Sequence, residues 1–588
     1  MTDRETAQSK NPVIYHRGER RARRVLRPFQ SLLRFPGAFA FSVCSAVNFK
    51  DLAISLEKST VPRETIKELK RELKRTWMTF FGRFGILLPV QIETIPVVIA
   101  GKNAVVTSPA ASGKTEAVIA PLAERFFSDG WANLAILYIS PTRALVNDVS
   151  YRLKEQLEDL GISSSLKTGD SPSFNPEKLP NLLITTPESF DSLICRHPQA
   201  FKELRAVVLD EIHLIDNTYR GDQIRLLLKR LRYITETAFN IYALSATIAD
   251  PKDIGNRYFN DFEVIKSQGS RELEYTLVKS LKDVFEHARN EKLKKLLIFC
   301  NKRKSVEIVA VEARDLWGRD RVVVHHGSLS KTIREEAEGF MKESQFGICI
   351  ATMTLEIGID IGDIDAIVLA EVPWSISALL QRIGRGNRRT QKNRVFALYD
   401  SEDEAALLEE MLNVAFTGYV EEVDYLPDLS VVVQQTFSSL YAHPDGLGDE
   451  YFSGLFNEFC SEEDRKDIFK HLAEQGWIEI GGNGGWRAST KLMDLGGWGK
   501  IHSNIPDSKA LKVIDSNTQQ TVGEVQYPID EVFVLAGRVW KIIKVGGNRI
   551  YAKQVKAKAP AVKFKRHASK GAFYYLLPKE LRMKLDDH

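Results

Sequence analysis

Residues 103–115 read NAVVTSPAASGKT, and this stretch decides how the rest of the chain is understood. The apolar run Ala104-Val105-Val106 predicts a strand that feeds a loop of small residues closing on Ser112-Gly113-Lys114-Thr115. That is the form of a phosphate-binding loop. Small residues let backbone N–H groups turn toward phosphate oxygens, a lysine reaches the β- and γ-phosphates, and a hydroxyl ligates Mg2+. Lys114 and Thr115 occupy those two places, and the helix they open adds its positive end beneath the anion. Ser108 stands where the full pattern has its first glycine. Further along, Ala206-Val207-Val208-Leu209 predicts a second apolar strand, ending in Asp210-Glu211-Ile212-His213. A carboxylate pair at such a strand end can hold Mg2+ through the Asp and orient an attacking water through the Glu.

Outward from this pair, strands alternate with helical stretches at Ala135–Ile139, Leu182–Thr185 and Ile241–Leu244. The alternation predicts a parallel sheet between helices. Lys266–Arg271 is polar and glycine-containing, which suits a linker. A second α/β series follows at Leu296–Cys300, Arg321–His325, Gly347–Ala351, Ala366–Leu369 and Val395–Tyr399. After Ser401 the texture changes. Leu429–Tyr441 and Tyr451–Phe459 read as helices, and Ser461 caps another with Asp464 three residues on. Trp477–Ile480, a glycine-rich turn and Trp486 then suggest a ribbon, so this region resembles a winged helix. Short β runs over Glu531–Gln554, broken at Ala536-Gly537 and Gly546-Gly547-Asn548, suggest a small barrel. The expected division is a basic arm (1–60), two α/β domains (61–265 and 266–410), a winged-helix-like domain (411–505) and a β-barrel-like module with a basic C-terminal segment (506–588).

A chain of 588 residues is too long for one core. Its net charge of +4 hides an asymmetry: residues 1–40 carry nine Lys/Arg against three acids, and residues 551–570 carry seven Lys/Arg and no acid. Positive ends on an acidic body suit a polyanion partner. The five cysteines (Cys44, Cys195, Cys300, Cys349 and Cys460) lie far apart, form no C-x-x-C pair and are odd in number. That argues against a zinc site or a disulfide framework and for buried thiols in a reducing cytoplasm. The apolar run Ala38–Val47 is too short to span a bilayer, so no membrane partner is expected.

More short signals stand in a fixed order. Gln91 precedes the phosphate-loop strand; Pro141-Thr142-Arg143-Ala144-Leu145, Thr168-Gly169-Asp170, Thr186-Pro187-Glu188-Ser189 and Ser245-Ala246-Thr247 follow it. The second series holds Phe299-Cys300-Asn301-Lys302, His325–Ser330 (HHGSLS), Ala351–Asp360 (ATMTLEIGID) and Gln381–Arg388 (QRIGRGNR). The ordered set resembles the superfamily 2 helicases of the DEAD/DEAH-like kind. DEIH followed by Arg220-Gly221, the wording of HHGSLS and TPES, and VLAGRVW within Phe533–Trp540 are similar to the large helicase-related (Lhr-type) family, in its core form without the long C-terminal extension.

That resemblance implies two tandem RecA-like motor domains that bind ATP and Mg2+ between them. It implies Lys114, Asp210, Glu211, Arg385 and Arg388 as catalytic residues, the two arginines acting as fingers from the second domain. Gln91 would read adenine, with Ser112, Gly113, Thr115, Gly358 and Asp360 also at the nucleotide, and Thr115 and Asp210 at the metal. Thr142, Arg143, Thr186, Ser328 and Thr352 would touch the phosphates of a single strand of DNA or RNA, giving sequence-tolerant, salt-sensitive binding. The lysines at 553, 556, 558, 563 and 565, with Arg566, suit backbone phosphates. Trp477, Trp486, Trp498 and Trp540 could stack bases, although core packing is the commoner use of such residues. The implied activity is ATP-driven 3′→5′ translocation that unwinds a duplex bearing a single-stranded tail. A remodelling or sensing ATPase with a protein partner in a DNA repair or defence complex, and a non-enzymatic clamp, are the rival classes. Ala111, Leu88 and Gly386-Asn387 depart from the usual family residues, and none removes a required charge.

Overall fold

The computed structural model describes residues 63–586, except 84–85, 110–111, 172–173, 247, 268–271, 357–360, 387–391, 418–419, 421–424, 483, 507–509, 527–528, 558 and 562–569. The basic arm, Ala111, Thr247, Gly358, Asp360, Arg388, and the basic residues at 558, 563, 565 and 566 lie outside the described residues.

The first α/β domain is built on seven strands: β1 (Asn103–Thr107), β2 (Ile136–Ile139), β3 (Ser164–Lys167), β4 (Leu182–Thr185), β5 (Ala206–Leu209), β6 (Asn240–Ser245) and β7 (Phe262–Lys266). They form one parallel sheet in the order β3-β4-β2-β5-β6-β1-β7. Alternate residues feed two separate cores. Ala104, Val106, Ile136, Tyr138, Ile184 and Val208 pack on one face, and Val105, Leu137, Leu183, Val207 and Leu209 on the other. That is why these strands read as unbroken apolar runs.

The second domain repeats the plan with β8 (Glu272–Val278), β9 (Lys295–Phe299), β10 (Val322–His325), β11 (Gly347–Ala351), β12 (Ala366–Leu369) and β13 (Lys392–Leu398). All pair in parallel, in the order β10-β11-β9-β12-β13-β8. Each domain is an open parallel sheet covered by helices, and the pair has the tandem RecA-like architecture. Edge strands β3, β7 and β8 escape the sequence reading because polar residues break up their apolar runs, as in the SSLK of β3.

Beyond the second domain lie helices Ser430–Ala442, Asp449–Phe456 and Glu462–Glu474, then an antiparallel ribbon of β14 (Ile478–Ile480) and β15 (Trp486–Ala488). Ser461 caps Glu462–Glu474 by accepting the Asp464 N–H at 3.0 Å, as the sequence predicts. A five-stranded sheet follows: β16 (Leu511–Asp515), β17 (Thr521–Val525), β18 (Val532–Leu535), β19 (Arg538–Gly546) and β20 (Arg549–Gln554), ordered β17-β16-β20-β19-β18. The C-terminal segment does not stay with this sheet. Phe573, Tyr574, Leu577 and Leu581 return to the core formed by the helices at 430–474, because their apolar side chains fill the space beside Phe437.

These two accessory modules attach to different α/β domains. The five-stranded sheet shares one core with the second α/β domain, with Val513, Phe533, Leu535 and Trp540 packed among Val284, Leu296, Val306 and Ala310. The helical module meets the first domain through a buried polar joint centred on Asp191. That carboxylate receives Arg230 Nη1 at 3.0 Å, His502 Nδ1 at 2.9 Å, Ser438 Oγ at 2.8 Å, and Gln434 and Gln435 amides at 3.2 and 3.1 Å. Cys195 lies in the same joint, 3.3 Å from Arg230 Nη2. Asp191, Cys195 and His502 have the chemistry of metal ligands, but the Arg230 guanidinium already supplies the cation at this place. Among the described residues, no helix is long and apolar enough to cross a membrane.

Candidate nucleotide and nucleic-acid site

The C-terminal ends of β1, β5 and β6 sit side by side, since β6 lies between the other two. That adjacency brings the phosphate loop, the acidic box and Ser245 to one edge of the sheet. Gly113 has φ +81°, and a side chain there would collide with Gln91 Nε2, so glycine is required at the turn into helix Lys114–Ser128. Gln91 is tied to this loop: its Oε1 accepts the Leu88 N–H at 2.9 Å, and its Nε2 donates to the Gly113 carbonyl at 3.4 Å.

Lys114 is buried and donates Nζ to the loop carbonyls of Ser108 and Pro109, at 2.6 and 3.1 Å. Burial lowers its pKa, opposed by Glu211 and Asp210. Burial, and then the neighbouring Glu211 charge, raises Asp210 above the ordinary carboxylate range against the pull of Tyr138, Lys114 and Arg152. Glu211 is pushed the same way by burial, yet Lys114, His213 and Arg385 hold it below its usual range. Its backbone is left-handed, at φ 44°, a strained conformation for a β-methylene side chain. His213 is driven down to about 4 by burial, so it is a neutral imidazole at physiological pH. Its Nδ1 lies 2.9 Å from Ser245 Oγ and 3.6 Å from Glu211 Oε2, which joins the acidic box to the Ser245-Ala246 turn.

The second domain meets this edge with Arg385. The guanidinium is buried, donates Nη2 to the Glu356 carbonyl at 2.9 Å, and is close enough to act electrostatically on Lys114, Glu211 and His213. Glu356 also receives Arg382 Nε at 2.6 Å, and Arg382 itself lies over the Phe299 ring. Glu356 lies within the ATMTLEIGID stretch, where nothing in the sequence marks it as this anchor. The same holds for Tyr138, whose buried hydroxyl lies beside Asp210 and Thr115. Tyr138 lies inside the apolar run of β2, and Glu356 follows the short helical turn Met353–Leu355 beyond β11, so neither stands out at the end of a predicted strand.

These residues fit a Mg2+-bound nucleoside triphosphate. Ser112 Oγ and Glu211 Oε2 are buried without a hydrogen-bond partner, Lys114 turns back on its own loop, and no Cβ could occupy the Gly113 cradle. Thr115 is buried beside Tyr138 at the start of the same helix.

The remaining predicted residues line the same edges in both domains. Thr142 and Thr186 cap helices, accepting the N–H groups of Leu145 at 3.3 Å and Ser189 at 3.4 Å. Arg143 pairs with Asp170 at 2.6 Å, joining two of the quoted signals. Arg220, in turn, bridges Glu188 Oε1 at 2.7 Å and the Pro141 carbonyl at 2.6 Å, so one side chain fixes the PTRAL and TPES turns together. Ser328 Oγ accepts Arg303 Nη1 at 2.8 Å, and Thr352 is buried at the end of β11. Of the four tryptophans, Trp540 is buried with its indole N–H on the Leu535 carbonyl, while Trp477 packs on Phe437 and Trp486 on Phe469. Trp498 is 72% exposed. Trp374, which the sequence does not single out, is 67% exposed in the loop between β12 and helix Ile376–Ile383, with Lys302 beside its ring.

Comparison with known proteins agrees with this geometry. Residues 88–254 match the DEAD/DEAH box helicase family, and residues 276–390 match the helicase conserved C-terminal domain. The two matches fall on the two α/β domains, so the chain carries a DEAD/DEAH box helicase domain followed by a helicase conserved C-terminal domain. It is 28% identical to the ATP-dependent helicase Lhr-Core of Sulfolobus acidocaldarius, across 85% of this chain and 64% of that protein. It is 26% identical to the Lhr helicase/uracil glycosylase of Escherichia coli, across 67% of this chain and 31% of that one. Among solved structures it resembles Mycobacterium smegmatis helicase Lhr bound to ssDNA and AMP-PNP, with TM-score 0.63 and 22% identity over 74% of this chain and 62% of that one. It also resembles the DUF1998 helicase MrfA bound to DNA, with TM-score 0.67 and 20% identity over 84% and 74% of the two chains. Within its class the chain is therefore similar to the large helicase-related, Lhr-type family, and it spans 64% of the length of the Sulfolobus relative.

Proposed function

We propose that this protein is an ATP-driven translocase that loads on single-stranded nucleic acid, moves 3′→5′ and unwinds duplex ahead of it. One observation carries the reading: Lys114, Asp210 and Glu211 of the first motor domain and Arg385 of the second share one buried electrostatic site. In this reading ATP draws Lys114 off the Ser108 and Pro109 carbonyls, and the lysine then carries phosphate charge. Thr115 and Asp210 would hold Mg2+, which neutralises charge on the phosphates when bound. Ionised Glu211 orients the attacking water and takes its proton. Arg385 stabilises charge at the γ-phosphate only while the two domains are together, and Arg388 is assigned the companion part. Hydrolysis thereby becomes linked to domain separation, which makes a motor.

The strand path runs over Thr142, Arg143, Thr186, Ser328 and Thr352, whose hydroxyls and surrounding amides suit phosphates of DNA or RNA. Exposed Trp498 is the stacking residue among the four tryptophans. Trp498→Ala is expected to weaken single-strand binding by about 1–3 kcal/mol, roughly 5- to 150-fold, measured by anisotropy with a labelled oligonucleotide. An unchanged affinity would remove Trp498 from the path. The order of three helices and a ribbon over residues 430–488 supports a winged-helix domain, and the five strands at 511–554 support a partly open barrel.

The test is steady-state ATP hydrolysis with single-stranded DNA, single-stranded RNA or duplex, beside Glu211→Gln. Stimulation by one single strand, reduced at least about 100-fold in the variant, is the expected result. Stimulation by duplex without unwinding of a tailed substrate would instead favour a remodelling ATPase. No turnover with any polymer would overturn the motor reading.

A further inference from the structure

The Gly327–Ser330 loop of the second motor domain, which contains the proposed phosphate contact Ser328, is held by the five-stranded sheet on two sides. On one side strand β17 pairs with it directly. The Glu524 N–H donates to the Ser328 carbonyl at 2.7 Å, the Ser330 N–H donates to the Val522 carbonyl at 3.0 Å, and Leu329 bridges to Gly523. A Cβ on Gly523 would lie 2.5 Å from the Ser328 carbonyl oxygen, so the approach tolerates only glycine. Gly523 does not have a positive φ, and the demand is therefore one of space alone.

On the other side the turn between β18 and β19 reaches the same loop through Glu307. Ala536 and Gly537 have φ of 58° and 63°, the backbone of a tight hairpin turn. Their N–H groups both point at the fully buried Glu307 carboxyl group: Ala536 donates to Oε1 at 2.7 Å and Gly537 donates to Oε2. Glu307 Oε1 also lies 2.9 Å from His326 Nε2, and His326 Nδ1 accepts the Ser328 N–H at 3.3 Å. Because Nδ1 accepts, the ring proton resides on Nε2 and points at Glu307. The chain of contacts runs without a gap from the hairpin turn to the Ser328 amide.

We infer that the five-stranded sheet is a positioning element for nucleic-acid binding: through Gly523 and through Glu307–His326 it fixes where the Ser328 loop stands. The inference rests on the nucleic-acid reading of that loop. Among the described residues, Glu307 binds His326 and the Ala536-Gly537 turn and Gly523 faces the Ser328 loop, so their effect falls on the polymer and not on ATP.

The test compares Gly523→Ala with Gly546→Ala, since a Cβ at Gly546, in the same sheet, meets nothing within 4 Å. Glu307→Gln is the second probe, and circular dichroism and thermal melting monitor folding of all three. Gly523→Ala and Glu307→Gln are expected to raise the oligonucleotide concentration for half-maximal ATPase stimulation by about tenfold or more, because sub-ångström misplacement of a binding group is costly. The KM for ATP and the basal turnover stay at wild-type values, and Gly546→Ala matches wild type throughout. Equal half-maximal concentrations in Gly523→Ala, Glu307→Gln and wild type, in chains that all respond to oligonucleotide, would overturn the positioning inference alone. Failure of the wild-type chain itself to bind labelled single strands would overturn it together with the reading beneath it.

Discussion

Arg385→Ala is expected to lower nucleic-acid-stimulated ATP turnover by about 10³–10⁵-fold while changing ATP affinity far less. The reason is the geometry of the interdomain site. Lys114, Asp210 and Glu211 all belong to the first domain, and they bring one cation against two carboxyl groups. A transferring γ-phosphoryl group would add charge that this half-site cannot neutralise. Arg385 is the described cation of the second domain that acts on Lys114 and Glu211. It is held for that purpose by the Glu356 carbonyl, with Arg382 bound to the Glu356 carboxylate beneath it. Lysine has one point of charge where arginine has a planar fork, so Arg385→Lys cannot both keep the Glu356 contact and present charge forward. It should recover only a small part of the loss. Steady-state turnover at saturating single strand, with fluorescent-nucleotide binding measured separately, distinguishes the two effects. A fall of less than about tenfold in turnover would assign the finger to Arg388 instead.

Much of this site is legible in the amino-acid sequence, for a physical reason. Buried parallel strands must be apolar on both faces, so β1, β2, β4 and β5 announce themselves as short unbroken runs, and the polar residue that ends each run stands at the ligand edge. Asp210 and Glu211 are found that way, and Lys114 by the loop of small residues that follows β1. What the sequence does not announce is pairing across long separations. Glu307 looks like one more acid on an amphipathic helix, yet it is fully buried against a turn at Ala536-Gly537. Nothing local separates it from Glu312, which lies on the same helix. The destination of the C-terminal segment is hidden likewise, because Phe573 and Leu577 fit any apolar surface until the helical module offers one. Edge strands fail for the opposite reason: with one side in water, the composition of β3 is that of a loop.

Asp191→Ala is expected to destabilise the chain by about 3–5 kcal/mol, the cost of leaving buried cations without their counter-charge. Nothing in the sequence marks Asp191, since its partners lie on three distant stretches: Arg230, the helix Ser430–Ala442 and His502. Arg230 cannot shed its proton, so in the variant its charge stays buried beside Cys195. His502 can. Burial alone would push the imidazole down, but Asp191, with Cys195 beside it, lifts it to about 9. An unfolded histidine titrates near 6.5, so between those values the folded chain holds a proton that the unfolded chain has released. Its stabilisation is complete below about pH 6.5 and is lost as pH rises through about 9, a contribution on the order of 3 kcal/mol. Thermal melting from pH 6 to 9.5 should therefore show the joint between the first motor domain and the helical module weakening with alkali in wild type. His502→Gln should flatten that slope, and the double variant Asp191→Leu/Arg230→Met should recover part of the Asp191→Ala loss by removing both charges. An unchanged slope in His502→Gln would mean that His502 is neutral in the folded chain. Arg230 would then be the one charged partner of Asp191 among the described residues, and the joint would hold across that pH range.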